Sequence, residues 1–326
     1  MRMFLLAISV STLLLGQGVA QHTPKVDPKL PSYSPIQAVD TAIESIGADS
    51  LTDVWDEWIT GFKAIQSRAQ FKVTQTLSTT AIKAFMDGTV PMIHLARELT
   101  IEEHQAFEKK FGYTPTKLVV CYDAFIVFVN AGNPIRDIGM DQLDAAYSTT
   151  RLGGYKTDSP ADTWGDLGVR GDYSKRTITL YMRAEGTAAR SAIRDVVLLK
   201  GKYKPTVKDA ADWGSIAEAV MTDAAGLGIG TLSNWLSRNK TLAVTPFQAK
   251  EPVAPTQDNV VSGKYPLART YYFYVNRGPS MPIPPSVLEF LQYVLSQEGQ
   301  TAVSKASLYP LPPEIAQLYR KRLRSN

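Results

Sequence analysis

Short runs of β-forming residues alternate along this chain with amphipathic helical patterns, and this alternation restricts the fold more than any other feature. Phe71–Leu77, Leu118–Asn130, Thr177–Met182 and Thr270–Asn276 read as strands. Trp55, Trp58, Phe62 and Ile65 fall three to four residues apart, on one face of a helix that starts near Thr52. Asp141–Tyr147, Ile193–Leu199, Ile216–Met221 and Ser286–Leu295 carry the same helical period. Strands separated by helices assemble into parallel or mixed sheets covered by helices, so the expected class is α/β. With 326 residues, 44% hydrophobic and 20% charged, the chain can bury one large core or two smaller ones, and disorder is not expected.

The two ends are different in character. Met1–Phe4 carries one positive charge at Arg2, Leu5–Leu15 is apolar, and Gly18-Val19-Ala20 supplies small residues, which predicts a signal peptide over residues 1–20. No cysteine follows Ala20, so the lipoprotein route is not indicated and a periplasmic or secreted product is expected. Gln21–Gln37 is polar and holds four prolines, and it reads as a flexible, extended leader. Cys121 is the single cysteine and lies in an apolar run, as a buried structural thiol does. Loss of Arg2 takes the formal charge from +4 to +3, a weakly basic balance that suits an anionic ligand without naming one. The basic stretch Arg320-Lys321-Arg322 reads as a solvated helix end, not a nucleic-acid patch.

One local arrangement recurs. Gly47-Ala48-Asp49-Ser50 precedes the Trp55 helix, Ser78-Thr79-Thr80 follows the Phe71 strand, and Glu185-Gly186-Thr187 follows the Thr177 strand beside Arg183. Each junction offers unpaired backbone N–H groups and hydroxyls at the positive end of a helix, the chemistry that holds a small oxyanion. Arg97 and Arg183 add guanidinium forks that match two oxyanion oxygens at once. Any one such junction is also an ordinary helix cap, so the inference rests on three of them converging.

Enzyme signatures are sparse. His22, His94 and His104 lie far apart in character: one in the leader, one expected to be packed, one in a charged segment. They give little material for a metal cluster or a nucleophilic triad, so neither a metal nor a cofactor is expected. Gly226, Gly228 and Gly230 fit neither the dinucleotide fingerprint nor the P-loop, and they read as a tight turn or a close backbone approach.

Several longer motifs resemble a known family. Ile46-Gly47-Ala48-Asp49-Ser50-Leu51 with Trp58 and Phe62, then Thr163–Gly168 with Gly171-Asp172-Tyr173, are similar to segments of Pst-type phosphate-binding proteins of ABC uptake systems. Lys264-Tyr265-Pro266-Leu267-Ala268-Arg269, Ser296–Gln300 and Tyr309-Pro310-Leu311 resemble the family's C-terminal pattern, and Asp123, Asn130 and Asn133-Pro134 its crossover strand. The resemblance runs from about Ile43 to Pro312. It implies a two-lobed type II periplasmic-binding-protein fold in which each lobe is a mixed sheet flanked by helices, joined by crossover strands. Lobe I would comprise residues 38–122 and 265–326, and lobe II residues 123–264. It further implies a monomer, not an enzyme, that captures inorganic phosphate or a similar oxyanion and delivers it to an ABC permease in the inner membrane.

The implied ligand set is Asp49, Ser50, Leu51, Ser78, Thr79, Arg97, Arg183, Glu185, Gly186 and Thr187, with Asp49 reading the ligand's proton or orienting an arginine. The family pattern is not kept throughout: Leu77 stands for a glycine, Ala96 for a serine, and the loop after Arg183 is about two residues short. An ionised Glu185 can only accept hydrogen bonds, so it repels a dianion. These departures support an alternative expectation, a divergent paralogue with the same fold that serves as a sensor, adhesin or partner-binding module.

Overall fold

The computed structural model describes residues 24–155, 160–232, 238–279 and 282–324. The expected signal peptide at 1–20 and His22 lie outside the described residues. The first unit is a repeating strand–helix chain: β1 (Ala42–Ala48), α1 (Thr52–Ile65), β2 (Gln70–Thr76), α2 (Ser78–Asp87), β3 (Met92–Leu95) and α3 (Ile101–Phe111). β1 alternates inward and outward residues, burying Ile43 and Ser45, and pairs in parallel with both β2 and β3. α1 turns Val54, Trp55, Trp58 and Phe62 inward as its period predicts, whereas Ile65 at its last turn is exposed.

The chain then enters β4 (Thr116–Asn130), which at 15 residues is long enough to serve two halves of the molecule. It continues through β5 (Asp137–Gly139), α4 (Met140–Tyr147), β6 (Thr179–Arg183), α5 (Ala188–Val197), β7 (Lys208–Ala210), α6 (Trp213–Thr222) and β8 (Gly226–Thr231). After β9 (Asn239–Thr241), β10 (Ala243–Thr245) and α7 (Gln257–Val261), it returns along β11 (Ala268–Val275) and ends in α8 (Pro285–Val294), α9 (Gln297–Lys305) and α10 (Pro313–Arg324). The main sheet runs β2-β1-β3-β11-β4-β8-β6-β7, with β9 also on β4, while β5 and β10 form a separate parallel pair.

The hydrophobic core divides within β4. Leu118, Val120 and Cys121 pack with Trp55, Trp58, Phe273 and Phe290 in one cluster, and Ala124, Phe125, Val127 and Val129 pack with Tyr147, Trp164, Leu180 and Ile229 in another. The register changes at the same point: Ala124 lies opposite Ala268 of β11, and Phe125 lies opposite Thr231 of β8. This is the expected α/β architecture of two lobes, each a mixed sheet flanked by helices. Cys121 is buried and free, as its apolar setting implied.

The C-terminal stretch Ser296–Gln300 has a structural task. Ser296 accepts from the Gly299 amide to cap α9, and the Gly299 carbonyl accepts from Trp58 Nε1 at 2.9 Å. Gln300 donates to the carbonyls of Val120 and Val294 and accepts from the Leu311 amide, tying three segments of the first lobe together.

Two sequence expectations are corrected. The segment expected to be a flexible leader is docked over residues 24–37, because Leu30 and Tyr33 are buried in the first lobe's core, 3% and 8% exposed. Tyr33 Oη donates to the buried Glu289 carboxylate at 2.8 Å, and the amides of Ile36 and Gln37 donate to the same group. The run Gly226, Gly228, Gly230 is not a turn but strand β8, and the reason is the close-approach alternative. A Cβ on Gly228 would stand 2.9 Å from the Phe128 ring and 3.0 Å from Ile216 and Val220, so only glycine lets β4, β8 and α6 come this near.

Candidate ligand cleft

Strand polarity brings the predicted junctions together. β1 and β3 run parallel to each other, β11 runs antiparallel to β3 and to β4, so the carboxyl ends of β1, β2 and β3 point along the direction of β4. β8 runs antiparallel to β4, and β6 and β7 run parallel to β8, so their carboxyl ends point the opposite way. The starts of α1, α2, α5 and α6 therefore face one another across the middle of β4, which is where a two-lobed α/β protein opens a crevice.

On the first lobe, Asp49 and Ser50 are exposed in a 3-10 turn between β1 and α1, and Leu51 is fully buried beneath them. Thr52 Oγ1 donates to the Asp49 carbonyl at 2.7 Å, which fixes the turn. Thr79 is exposed and Ser78 half-buried at the start of α2, where Leu77 provides no side-chain cap and is 57% exposed. The Thr52 amide donates to the Asp49 carbonyl and the Thr80 amide to the Leu77 carbonyl, so at the start of α2 it is the Ser78 and Thr79 amides that remain for an occupant of the crevice.

The two arginines chosen from the sequence have different fates. Arg97 gives both terminal nitrogens to Glu103, Nη1 to Oε2 at 2.7 Å and Nη2 to Oε1 at 2.8 Å. Its fork is committed to the start of α3. Arg183 ends β6 with its guanidinium against the Trp213 ring, 5.2 Å from the centroid, and that guanidinium makes no hydrogen bond among the described residues. Its Nε is buried and without a partner. A buried N–H that lacks an acceptor is costly, by about 1–3 kcal/mol, so this donor is open to an acceptor brought from outside the chain.

The third loop is more strained in its donors. Thr187 Oγ1 accepts from the Arg190 amide at 3.3 Å and donates to the Ala184 carbonyl at 2.8 Å, so this hydroxyl is already engaged. Gly186 has φ of +83°, a conformation that suits glycine. Glu185 is exposed, and its amide donates to Asp209 Oδ2 at 3.2 Å. Asp209 in turn pairs with Arg190, which anchors the base of α5.

A second group of polar residues sits where β4 and β11 meet the crevice, and it escaped the sequence-based ligand set. Arg269 and Asp123 are register partners on the two strands and form an ion pair in which the side chains are 15% and 3% exposed. Tyr271 Oη accepts from Arg269 Nη2 at 2.6 Å and donates to Asp123 Oδ2 at 3.1 Å. The same hydroxyl lies 3.5 Å from the Ser50 carbonyl, so the group touches the turn between β1 and α1. Burial opposes the charge on Arg269, but Tyr271 and Asp123 more than offset it and hold the guanidinium's pKa above its ordinary value. A lone acid inside an apolar run, Asp123 between Leu118 and Asn130, was the signal in the sequence, since a buried carboxylate needs a partner.

Rings connect the two arginines. Arg183 stands over Trp213, the Trp213 and Phe125 rings are tilted with centroids 6.0 Å apart, and Arg269 stands over Phe125, 4.1 Å from its centroid. Asp212 caps α6 just before Trp213, and hydrogen bonds from the start of that helix, with Arg183 nearby, keep its carboxyl below the ordinary range. His94 is not part of the crevice. It is buried, held by Ser45 Oγ at Nδ1 and by Gln75 Oε1 at Nε2, as a packed histidine should be. Among the described residues no group of three or more His, Cys, Asp or Glu side chains is placed to hold a metal ion, and no helix is long and apolar enough to cross a membrane.

The family model of the PBP superfamily domain matches residues 21–298. The chain belongs to the PBP superfamily. Among its relatives is the phosphate-binding protein PstS of Pseudomonas aeruginosa, 32% identical over 323 residues that cover 99% of both chains. A crystal structure described as a possible phosphate binding protein from Planctomyces limnophilus superposes with a TM-score of 0.70 at 18% identity, covering 88% of this chain and 98% of the other. An ABC-type phosphate transport receptor from Vibrio cholerae gives 0.66 at 18% identity, covering 83% of this chain and all of that one. At those identities the structural likeness shows the PBP fold, and the chain's relation to PstS rests on the sequence match.

Proposed function

We propose that this member of the PBP superfamily is a solute-binding protein that captures phosphate, or a closely related oxyanion, between its two lobes and delivers it to an ABC permease. Lobe I is residues 38–122 and 265–326, lobe II is residues 123–264, and the protein acts as a monomer without catalysing a reaction on its ligand. The apolar run Leu5–Leu15 ahead of Gly18-Val19-Ala20 supports export to the periplasm.

The observation that carries this reading is Arg183: a guanidinium at the mouth of the crevice, beside the start of α5, whose buried Nε has no acceptor. Ser50, Leu51, Ser78, Thr79, Gly186 and Thr187 surround the ligand in this reading, chiefly through backbone amides at helix starts. Asp49 accepts a hydrogen bond from the proton of a hydrogen phosphate, and Glu185 is exposed. A ligand that bridges both lobes favours the closed arrangement through contacts that are absent when the lobes part. The names of the related PstS and of the transport receptor support phosphate over other anions.

Isothermal titration of the mature protein with phosphate, arsenate and sulfate tests the proposal. Heat of binding with phosphate and arsenate, and a weaker response to sulfate, is the expected result. Absence of heat at millimolar phosphate would remove the assignment and favour the partner-binding alternative.

A further inference from the structure

Arg269 presents the same anomaly as Arg183 at the opposite wall of the crevice. Of its five N–H donors, those on Nη2 reach Asp123 Oδ2 and Tyr271 Oη, while Nε is buried without an acceptor and Nη1 makes no hydrogen bond among the described residues. The ion pair with Asp123 accounts for the charge of the guanidinium but uses only one of its three nitrogens. A fork with one tine fixed and two free is oriented rather than consumed. By contrast Arg97, the other arginine suggested by the sequence, has both terminal nitrogens on Glu103.

Its position in the fold also fits a ligand contact. Arg269 lies opposite Asp123 on the strand pair that joins the lobes, one residue from the point where β4 changes partner from β11 to β8. Through Tyr271 it is one hydroxyl away from the Ser50 carbonyl of the first ligand loop, and through the Phe125 and Trp213 rings it is linked to Arg183. We propose that Arg269 is a second ligating guanidinium of the cleft, positioned by Asp123 and Tyr271, and that it takes the role which the sequence pattern gives to Arg97.

This inference rests on the oxyanion-binding reading and adds a specific consequence. Two guanidinium groups from opposite sides, one fixed on the hinge strands and one on lobe II, let a tetrahedral dianion report lobe position directly to the crossover. They also supply donors where Ala96 and Leu77 offer none. The Asp123 carboxylate behind Arg269 keeps the empty cleft from holding two unneutralised cations.

The test compares Arg269→Gln, Arg269→Lys, Tyr271→Phe and Arg97→Gln with the wild-type protein by titration with inorganic phosphate across a range of salt concentrations. Loss of one charge-assisted bond predicts that Arg269→Gln weakens phosphate binding by roughly 10- to 100-fold and flattens the salt dependence. Arg269→Lys keeps the charge but not the fork, so it loses several-fold in affinity with the salt slope retained. Tyr271→Phe loses several-fold as the fork drifts, and Arg97→Gln changes affinity less than about threefold. If Arg269→Gln does not fold, the Lys and Phe variants carry the comparison. Folded variants at residues 269 and 271 that bind as the wild type does, with the same salt slope, overturn the inference and leave the cleft assignment standing. A wild-type protein that binds no phosphate overturns both.

Discussion

Arg97 and Glu103 hold each other through two parallel hydrogen bonds, and Glu103 also accepts the Thr100 amide that opens α3, at 2.7 Å. Thr100 returns the favour by accepting from the Glu103 amide, which completes a capping box. The arginine is therefore an extension of a helix cap. Its replacement by Gln is expected to lower stability by about 1 kcal/mol, since the pair is partly exposed. The Arg97 hydrogen bond keeps the Glu103 carboxyl below its ordinary value of 4.5, so this contribution is present above that pH and disappears as the pH falls further. Chemical denaturation of wild type and Arg97→Gln at pH 7 and pH 3.5 measures it: the gap between them is smaller at the lower pH.

Arg183→Gln removes the guanidinium that has no protein acceptor. Two charge-assisted bonds at about 1.5–3 kcal/mol each predict a loss of at least a hundredfold in phosphate affinity. Because the native side chain leaves a buried donor unmet in the empty cleft, the ligand-free variant should be no less stable than the wild type. Titration calorimetry and thermal melting on the same sample read both quantities, and an unchanged affinity would disprove the role given to Arg183.

His94 supplies a pH dependence of known sign. Burial pushes its pKa down from 6.5 to about 3, so the folded protein holds it neutral while the unfolded chain takes up a proton. The stability it contributes is complete above pH 6.5 and is lost progressively as the pH falls toward 3. His94→Gln lacks this titration, and its melting temperature should fall less steeply than that of the wild type between pH 7 and pH 4, although it starts lower.

Gly228→Ala forces a Cβ against Phe128, Ile216 and Val220, all at 3.0 Å or less. The expected cost is about 1–3 kcal/mol. Combining it with Phe128→Leu should recover part of that loss, because the clash and the relief share one contact. Urea midpoints for the two single variants and the double variant decide the matter, and simple additivity would show that the ring is not the obstacle.

Much of the fold could be read from the residues, and the exceptions have physical causes. β4 and β11 stood out because strands buried on both faces carry long apolar runs. β1 did not, since Glu44 and several small residues interrupt its pattern, and β8 was hidden by glycines that the sheet requires for close packing rather than for turning. The leader was read as loose because prolines dominate it, while Leu30 and Tyr33 bury into the core and Glu289 accepts from Tyr33, Ile36 and Gln37. In the cleft, Arg183 and the three loop starts were legible as local strand-to-helix junctions. Asp123, Arg269 and Tyr271 were not, because their association depends on antiparallel register between residues 146 positions apart in the chain.

The place of β11 has a consequence for how the molecule is made. The first lobe's sheet needs residues 268–275 between β3 and β4, so a nascent chain that has already made β1 to β4 still has a gap at the centre of that sheet. Until that late strand arrives, the inner edges of β3 and β4 are open to pairing with other chains. Assembly of the first half must then wait for the second, a topological delay that favours slow folding and makes premature termination after lobe II more damaging than its distance from the cleft would suggest.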